Sequence, residues 1–436
     1  MPLVASMAAI TVMEFTDRVF LANYSLDAIA AATPAGVAAF LVLTLLVGTA
    51  SYINVFIAQY IGAGQQDRIG PCLWQGIYFS LAVAVILTAV SFLSAPIFKL
   101  AGHSIEVQRL EQIYFRILCL GGGMHVLGTG LACFFSGQGR TRPVMVINIV
   151  AMFINIPLDY ALINGYGIIP EMGIRGAGMA TVFSWMFIVL CYCPLIFNRK
   201  NETAYRIWSG RGFERDLFVK ILFKGGASGL QFSLDVLAFT FFIFMVGRLG
   251  DLELAISNIV FSIHSIAFMP TIGFSIGLSI LVGQSLGNKD IYGALEFTWQ
   301  TIVILLFYMG LLGIFFILVP EKILILFLSS GTSESHAMMV SSGKMIIRIM
   351  AGFICFDAMY FTFLGVLKGA GDIRFVMWSI GLATVFVMII PMTIIVSYTE
   401  WGLVACWLNL TAYVLTLFSV SFFRFRQSKW KASLVI

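Results

Sequence analysis

The chain has 436 residues, of which 60% are hydrophobic and only 11% are charged. Soluble domains run near 25% charged, and a soluble body of this size has too little interior to bury so much apolar area, so the chain is read as built for lipid. Its net charge of +5 comes from bases scattered between apolar runs, with no stripe or patch that would hold a nucleic acid.

A helix needs about 20 apolar residues to cross about 30 Å of hydrocarbon. Runs of that kind predict spans at 1–23, 34–61, 72–98, 112–136, 143–164, 174–197, 218–247, 254–285, 293–328, 342–367, 374–397 and 401–423. The alternation of a membrane β-barrel is missing. The first run lacks the basic n-region of a signal peptide and carries Glu14, Asp17 and Arg18 in its second half, so it reads as a membrane helix. The polar stretch 198–217 sits at the midpoint and reads as a cytoplasmic linker. It separates an N-lobe, 1–197, from a C-lobe, 218–423, which is followed by a cytoplasmic tail, 424–436. Loops on the side of the termini hold 17 Lys and Arg and those on the other side hold 8. This bias places both termini in the cytoplasm; the localisation expected is a plasma membrane, the inner membrane of a bacterium.

The two halves repeat. At a shift of 225, Gln59 meets Gln284, Gly62 meets Gly287, Trp74 meets Trp299 and Gln75 meets Gln300; at 232, Gly137, Gly139 and Arg142 meet Gly369, Gly371 and Arg374. Six spans per half is an even number, so both halves start on the same side. The fold class expected is an all-α integral membrane protein with twelve transmembrane helices in two parallel, pseudo-symmetric six-helix lobes. Two lobes facing across a cleft suit a transporter.

Four aspartates fall inside the spans: Asp17, Asp159, Asp235 and Asp357. Each costs about 2.5–3.5 kcal/mol at a helix centre, and a buried acid without a base suggests a site for a proton or cation. Asn155 and Asp159 share one helix face. Pro157 lies between them and deprives the Phe153 carbonyl of its helical partner. A carboxylate, an amide oxygen and a freed carbonyl would make an all-oxygen cluster suited to a hard cation; a kink satisfied by water is the alternative. Pro270 and Pro391 are further bending points. Seven cysteines in or beside apolar runs read as packing residues, and His125 and His264 as satisfied buried side chains. Without HExxH, GxSxG or Walker-A patterns, neither enzymatic chemistry nor ATP-driven pumping is expected.

Four stretches carry a family resemblance: EFTDRVFLANYSLDAIAA in the first span, FINIPLDYALINGYGIIPEMGIRGAGMAT in the fifth and sixth, GASGLQFSLDVLAF in the seventh and FDAMYFTFLGVLKGAGDIR in the tenth. Over nearly its whole length the chain resembles the multidrug and toxic compound extrusion (MATE) family. The resemblance implies a monomeric antiporter that exports small amphipathic or cationic organic compounds against Na+ or H+ influx, with no cofactor. It also implies roles for residues. Asp17, Asn155, Asp159 and Thr181 would form the N-lobe cation site, binding Na+ if the chain is sodium-coupled. Asp235 and Asp357 would serve the C-lobe for substrate or cation. Pro2, Pro157 and Pro391 would bend helices. Ala227 stands where many members carry proline, and Asp235 where the NorM-like branch usually has Glu. A lipid-precursor flippase of the related superfamily is the alternative; it calls for a cationic cleft, whereas the acids here outnumber the buried bases.

Overall fold

The computed structural model describes residues 2–101, 103–167, 170–325 and 334–436. Twelve long helices follow one another: α1 (Pro2–Tyr24), α2 (Leu26–Gly62), α3 (Gln66–Ser91), α4 (Ile105–Ser136), α5 (Thr141–Asn164), α6 (Ile174–Ile196), α7 (Arg215–Gly247), α8 (Asp251–Gly287), α9 (Ile291–Leu318), α10 (Glu334–Ala370), α11 (Ile373–Tyr398) and α12 (Gly402–Arg426). Eleven are long and apolar enough to cross a membrane. The remaining one, α1, has the length but carries Glu14, Asp17 and Arg18. Large apolar side chains such as Val85, Phe244 and Phe307 stand exposed on these helices, as lipid-facing residues do.

Local signals set the helix ends. The Ser25 hydroxyl accepts from the Ala28 amide and starts α2, eight residues ahead of the predicted start; Pro34 lies inside the helix without ending it. Asp290 caps α9 by accepting from the Gly293 amide at 2.8 Å. These side chains satisfy N–H groups that the first turn leaves open. Of the predicted ninth span, α9 ends at Leu318 and a short helix, Pro320–Ile325, follows; residues 326–328 lie outside the described residues.

The chain divides into two compact units. The first comprises the described residues up to Leu230, with Gly287–Lys289 and Val435–Ile436; the second comprises Gln231–Leu286 and the described residues of 290–434. Within the first unit, Val435 N donates to the buried Gln59 side chain at 2.9 Å.

The sequence repeat reappears as matching close approaches inside each unit. A Cβ on Gly137, the residue that follows α4, would come within 3.0 Å of the Asn54 carbonyl of α2, and one on Gly369 of α10 within 2.3 Å of the Ser279 carbonyl of α8. Asn54 and Ser279 are 225 residues apart and Gly137 and Gly369 are 232 apart, the two shifts read from sequence. One turn earlier the pattern recurs: Cys133 Sγ lies 3.7 Å from the Ala50 carbonyl, and Gly365 packs on the Ser275 carbonyl. Small residues at these positions let helix backbones touch, which in lipid is a main source of helix association.

Candidate functional site

In the first unit, α1, α4 and α5 bring a polar cluster together. Asp17 on α1 is 8% exposed, Asn155 on α5 is 1% and Asp159 is 0%. Tyr114 on α4 donates its hydroxyl to Asp17 Oδ2 at 3.1 Å. Asp17 Oδ1, Asn155 Oδ1 and both carboxylate oxygens of Asp159 are buried with no hydrogen-bond partner. Asp159 lies within the field of Asp17, and the two charges repel. Arg18 is adjacent in sequence but exposed, as its roughly 100° offset around the helix requires, and it pairs with neither aspartate among the described residues.

One expectation for this cluster needs correction. Pro157 and Phe153 lie on the exposed face of α5, whereas Asn155 and Asp159 are buried. The carbonyl freed by Pro157 therefore faces away from the cluster, since residues two apart on a helix point to nearly opposite sides. Pro2 is the first residue of α1. Thr181 is half-buried on α6, and its hydroxyl donates to the Ala177 carbonyl one turn back. Among the described residues no hydrogen bond joins it to Asp17 or Asp159.

The second unit is built differently. Asp357 on α10 is buried, and His264 Nε2 on α8 stands 3.3 Å from its Oδ2; the separation suits an ion pair, but the angles do not make a hydrogen bond. The imidazole is stacked on Phe268 with ring centres 5.1 Å apart. Asp235 on α7 accepts from Gln231 and feels the positive charge of Lys368 and the negative charge of Asp357. Lys368, expected in a loop, is inside α10. His264, expected to be merely satisfied, faces an acid. Asp357 and Asp235 thus have bases for neighbours, whereas Asp17 and Asp159 enter no ion pair among the described residues.

Pro391 sits where α11 is irregular. A π-helical turn, Thr384–Ile389, precedes it, a feature often found at functional positions. The turn is tied down from α12: Asn409 Nδ2 donates to the Met388 carbonyl at 3.3 Å, and the hydroxyls of Thr384 and Tyr413 meet at 3.1 Å.

The donor set can be tested against a hard cation. Four unpartnered, buried oxygens from two carboxylates and an amide, with no base among them, fit a small cation or a proton shared between the acids. Among the described residues no group of three or more His, Cys, Asp or Glu could hold a transition metal.

Twelve helices in two repeated sets of six, with aspartates buried among them, define a membrane transport protein. The MatE family model matches residues 2–161 and 227–394, once in each half, and its two starts are 225 residues apart (227 minus 2). The chain belongs to the MatE family of transporters. It is 26% identical over 432 residues to a probable multidrug resistance protein NorM of Thermotoga maritima, covering 96% of this chain and 89% of that protein. To the multidrug resistance protein PmpM of Pseudomonas aeruginosa it is 27% identical over 430 residues, covering 92% and 83%. Two solved structures share the fold. One is a multidrug resistance MATE family transporter in an outward-facing conformation, with a TM-score of 0.85 at 19% identity over 98% of this chain and 94% of that one. The other is a MATE in a bent conformation, with a TM-score of 0.87 at 19% identity over 100% and 95%.

Proposed function

We propose that this chain is a secondary active antiporter that exports small amphipathic or cationic organic compounds by alternating access, driven by inward movement of Na+ or H+. The observation that carries the reading is the set of four buried, unpartnered oxygens of Asp17, Asn155 and Asp159. Burial of such groups without a partner costs about 1–3 kcal/mol each, more when charged, and an arriving cation or proton recovers that cost. Relatives named for multidrug resistance support the substrate class.

Each residue has a defined task. Asp159 and Asp17 hold the incoming charge, Asn155 adds an uncharged oxygen, and Tyr114 fixes the Asp17 carboxylate by its hydroxyl. Thr181, half-buried on α6, would complete the set only by turning its hydroxyl from Ala177. With the acids neutralised, their mutual repulsion disappears and the packing of α1 against α5 and α4 changes. That change biases the chain between its two access states. The membrane potential adds about 2.3 kcal/mol per charge per 100 mV to the drive. In the second unit, Asp357 and Asp235 contribute negative charge for a cationic substrate or a second cation, moderated by His264 and Lys368. The chain acts as a monomer in a bacterial inner membrane with both termini cytoplasmic, and performs no enzymatic chemistry.

The test is efflux of a fluorescent organic cation from proteoliposomes with sodium and proton gradients imposed separately. At least one gradient is expected to drive efflux. Efflux that ignores both would refute the antiport reading.

A further inference from the structure

We propose that residues 199–220, the connection after α6 together with the start of α7, form a binding surface for the anionic headgroups of membrane phospholipids. It carries six bases, Arg199, Lys200, Arg206, Arg211, Arg215 and Lys220, against three acids, Glu202, Glu214 and Asp216. All six bases are exposed, and among the described residues none of them enters an ion pair.

Two of the three acids are already committed. Glu202 accepts the backbone amides of Trp208 and Ser209, which holds its carboxyl below the ordinary range. Glu214 receives both guanidinium nitrogens of Arg68, at 2.7 and 3.2 Å. The positive charge of the segment is therefore left facing outward.

The segment is also held in place before any ligand arrives. Trp74 donates its indole N–H to the Ile207 carbonyl and Tyr78 its hydroxyl to the Arg211 carbonyl. Gln75 donates to the Gly212 carbonyl at 3.0 Å. The chain passes so close to α3 that a Cβ on Gly70 would lie 2.3 Å from the Arg206 carbonyl. Arg206 itself ends the short helix Arg199–Tyr205 in the left-handed conformation, at φ 55°. Between the bases, Trp208 is 49% exposed and Phe213 60% exposed.

An ordered run of exposed bases outside any ion pair, with exposed aromatics and continuous with two membrane helices, suits the headgroup region. Aromatic rings favour that depth, and each base near an anionic membrane surface contributes about 1 kcal/mol, roughly a fivefold gain in binding. The complementary partner is thus a phospholipid with net negative charge, in the leaflet on the side of this segment.

The purified full chain is compared by native mass spectrometry and by thermal unfolding, with added phosphatidylglycerol or phosphatidylcholine. Wild type should retain phosphatidylglycerol selectively and melt higher in its presence, with the difference shrinking as salt rises. The triple variant Arg206→Gly, Arg211→Gln, Arg215→Gln should bind phosphatidylglycerol about a hundredfold more weakly, by the same per-base contribution. Arg109→Gln, which removes one base from α4, should behave as wild type. If the triple variant fails to fold, Arg206→Gly alone suits the left-handed backbone and should still lose about fivefold. Equal retention of the two lipids by wild type, or undiminished phosphatidylglycerol binding by the variants, would overturn the proposal.

Discussion

Replacing Gly369 by Ala puts a methyl group 2.3 Å from the Ser279 carbonyl oxygen. Ordinary contact begins near 3.4 Å, so α10 and α8 must separate by about 1 Å at this crossing, and the obstacle is backbone that cannot turn aside. Overpacking of this kind costs about 1–3 kcal/mol, and lost contact along the seam adds to it. Gly352, on the same helix, has nothing within 4 Å of its would-be Cβ. There, Ala gains up to about 1 kcal/mol from helix propensity. The repeat partner Gly137 is intermediate: its closest obstacle is the Ile57 side chain at 2.7 Å, with the Asn54 carbonyl at 3.0 Å. Thermal unfolding in detergent, followed by intrinsic fluorescence, should therefore rank Gly352→Ala at or above wild type, Gly137→Ala below it and Gly369→Ala lowest. A Gly369→Ala protein that melts with wild type would refute the close-approach argument and, with it, the physical content of the repeat.

Tyr114→Phe leaves Asp17 with neither carboxylate oxygen hydrogen-bonded; a bond to a charged acceptor contributes about 1.5–3 kcal/mol, so the driving cation's half-saturating concentration in efflux should shift about tenfold or more, and an unmoved value would remove Tyr114 from the site. Asp357→Asn should lower efflux while expression stays near normal; wild-type transport would take Asp357 out of the mechanism. The Glu202 carboxyl titrates below its ordinary value because it accepts the Trp208 and Ser209 amides. Its contribution is complete above the unfolded carboxylate range and is lost as pH falls through the lowered folded value. Hydrogen-exchange protection of those two amides should fade in that acid window, and Glu202→Gln should show reduced protection already at neutral pH; protection that is independent of both would contradict the capping role.

Much of the helical plan was legible because lipid imposes one requirement, a long apolar run, on every span. The errors came where a breaker was read without its context. The span predicted from residue 34 begins at Leu26, because the Ser25 cap is a weak sequence signal and a membrane helix tolerates an interior proline such as Pro34. Asn155 and Asp159 were legible as a pair because four residues make one turn. The same periodicity, applied to Phe153 and Pro157, shows that their carbonyl belongs to the other face.

Tyr114 was not legible at all. It reaches Asp17 across 97 residues, and nothing local distinguishes it from other aromatic residues in a membrane helix. His264 and Lys368 escaped for a related reason: each looked ordinary alone, and their meaning lies in the acids brought to them from α10 and α7. The repeat also misleads if it is extended to chemistry. Asp357 is 232 residues beyond His125, and His125 stacks on Trp185 with ring centres 4.7 Å apart. The halves share backbone contacts and differ in their polar residues, so the two buried sites could not be inferred from one another.

The central claim is that the unpartnered oxygens of Asp17 and Asp159 bind the ion that drives export. The most direct measurement is gradient-driven efflux from proteoliposomes containing equal amounts of wild type, Asp17→Asn, Asp159→Asn and Asn155→Ala, with folding checked by thermal unfolding. Each aspartate variant is predicted to fold and to lose coupled efflux, and Asn155→Ala to retain a reduced rate, since it removes an oxygen but no charge. Efflux at the wild-type rate and with the wild-type gradient dependence in both aspartate variants would contradict the account.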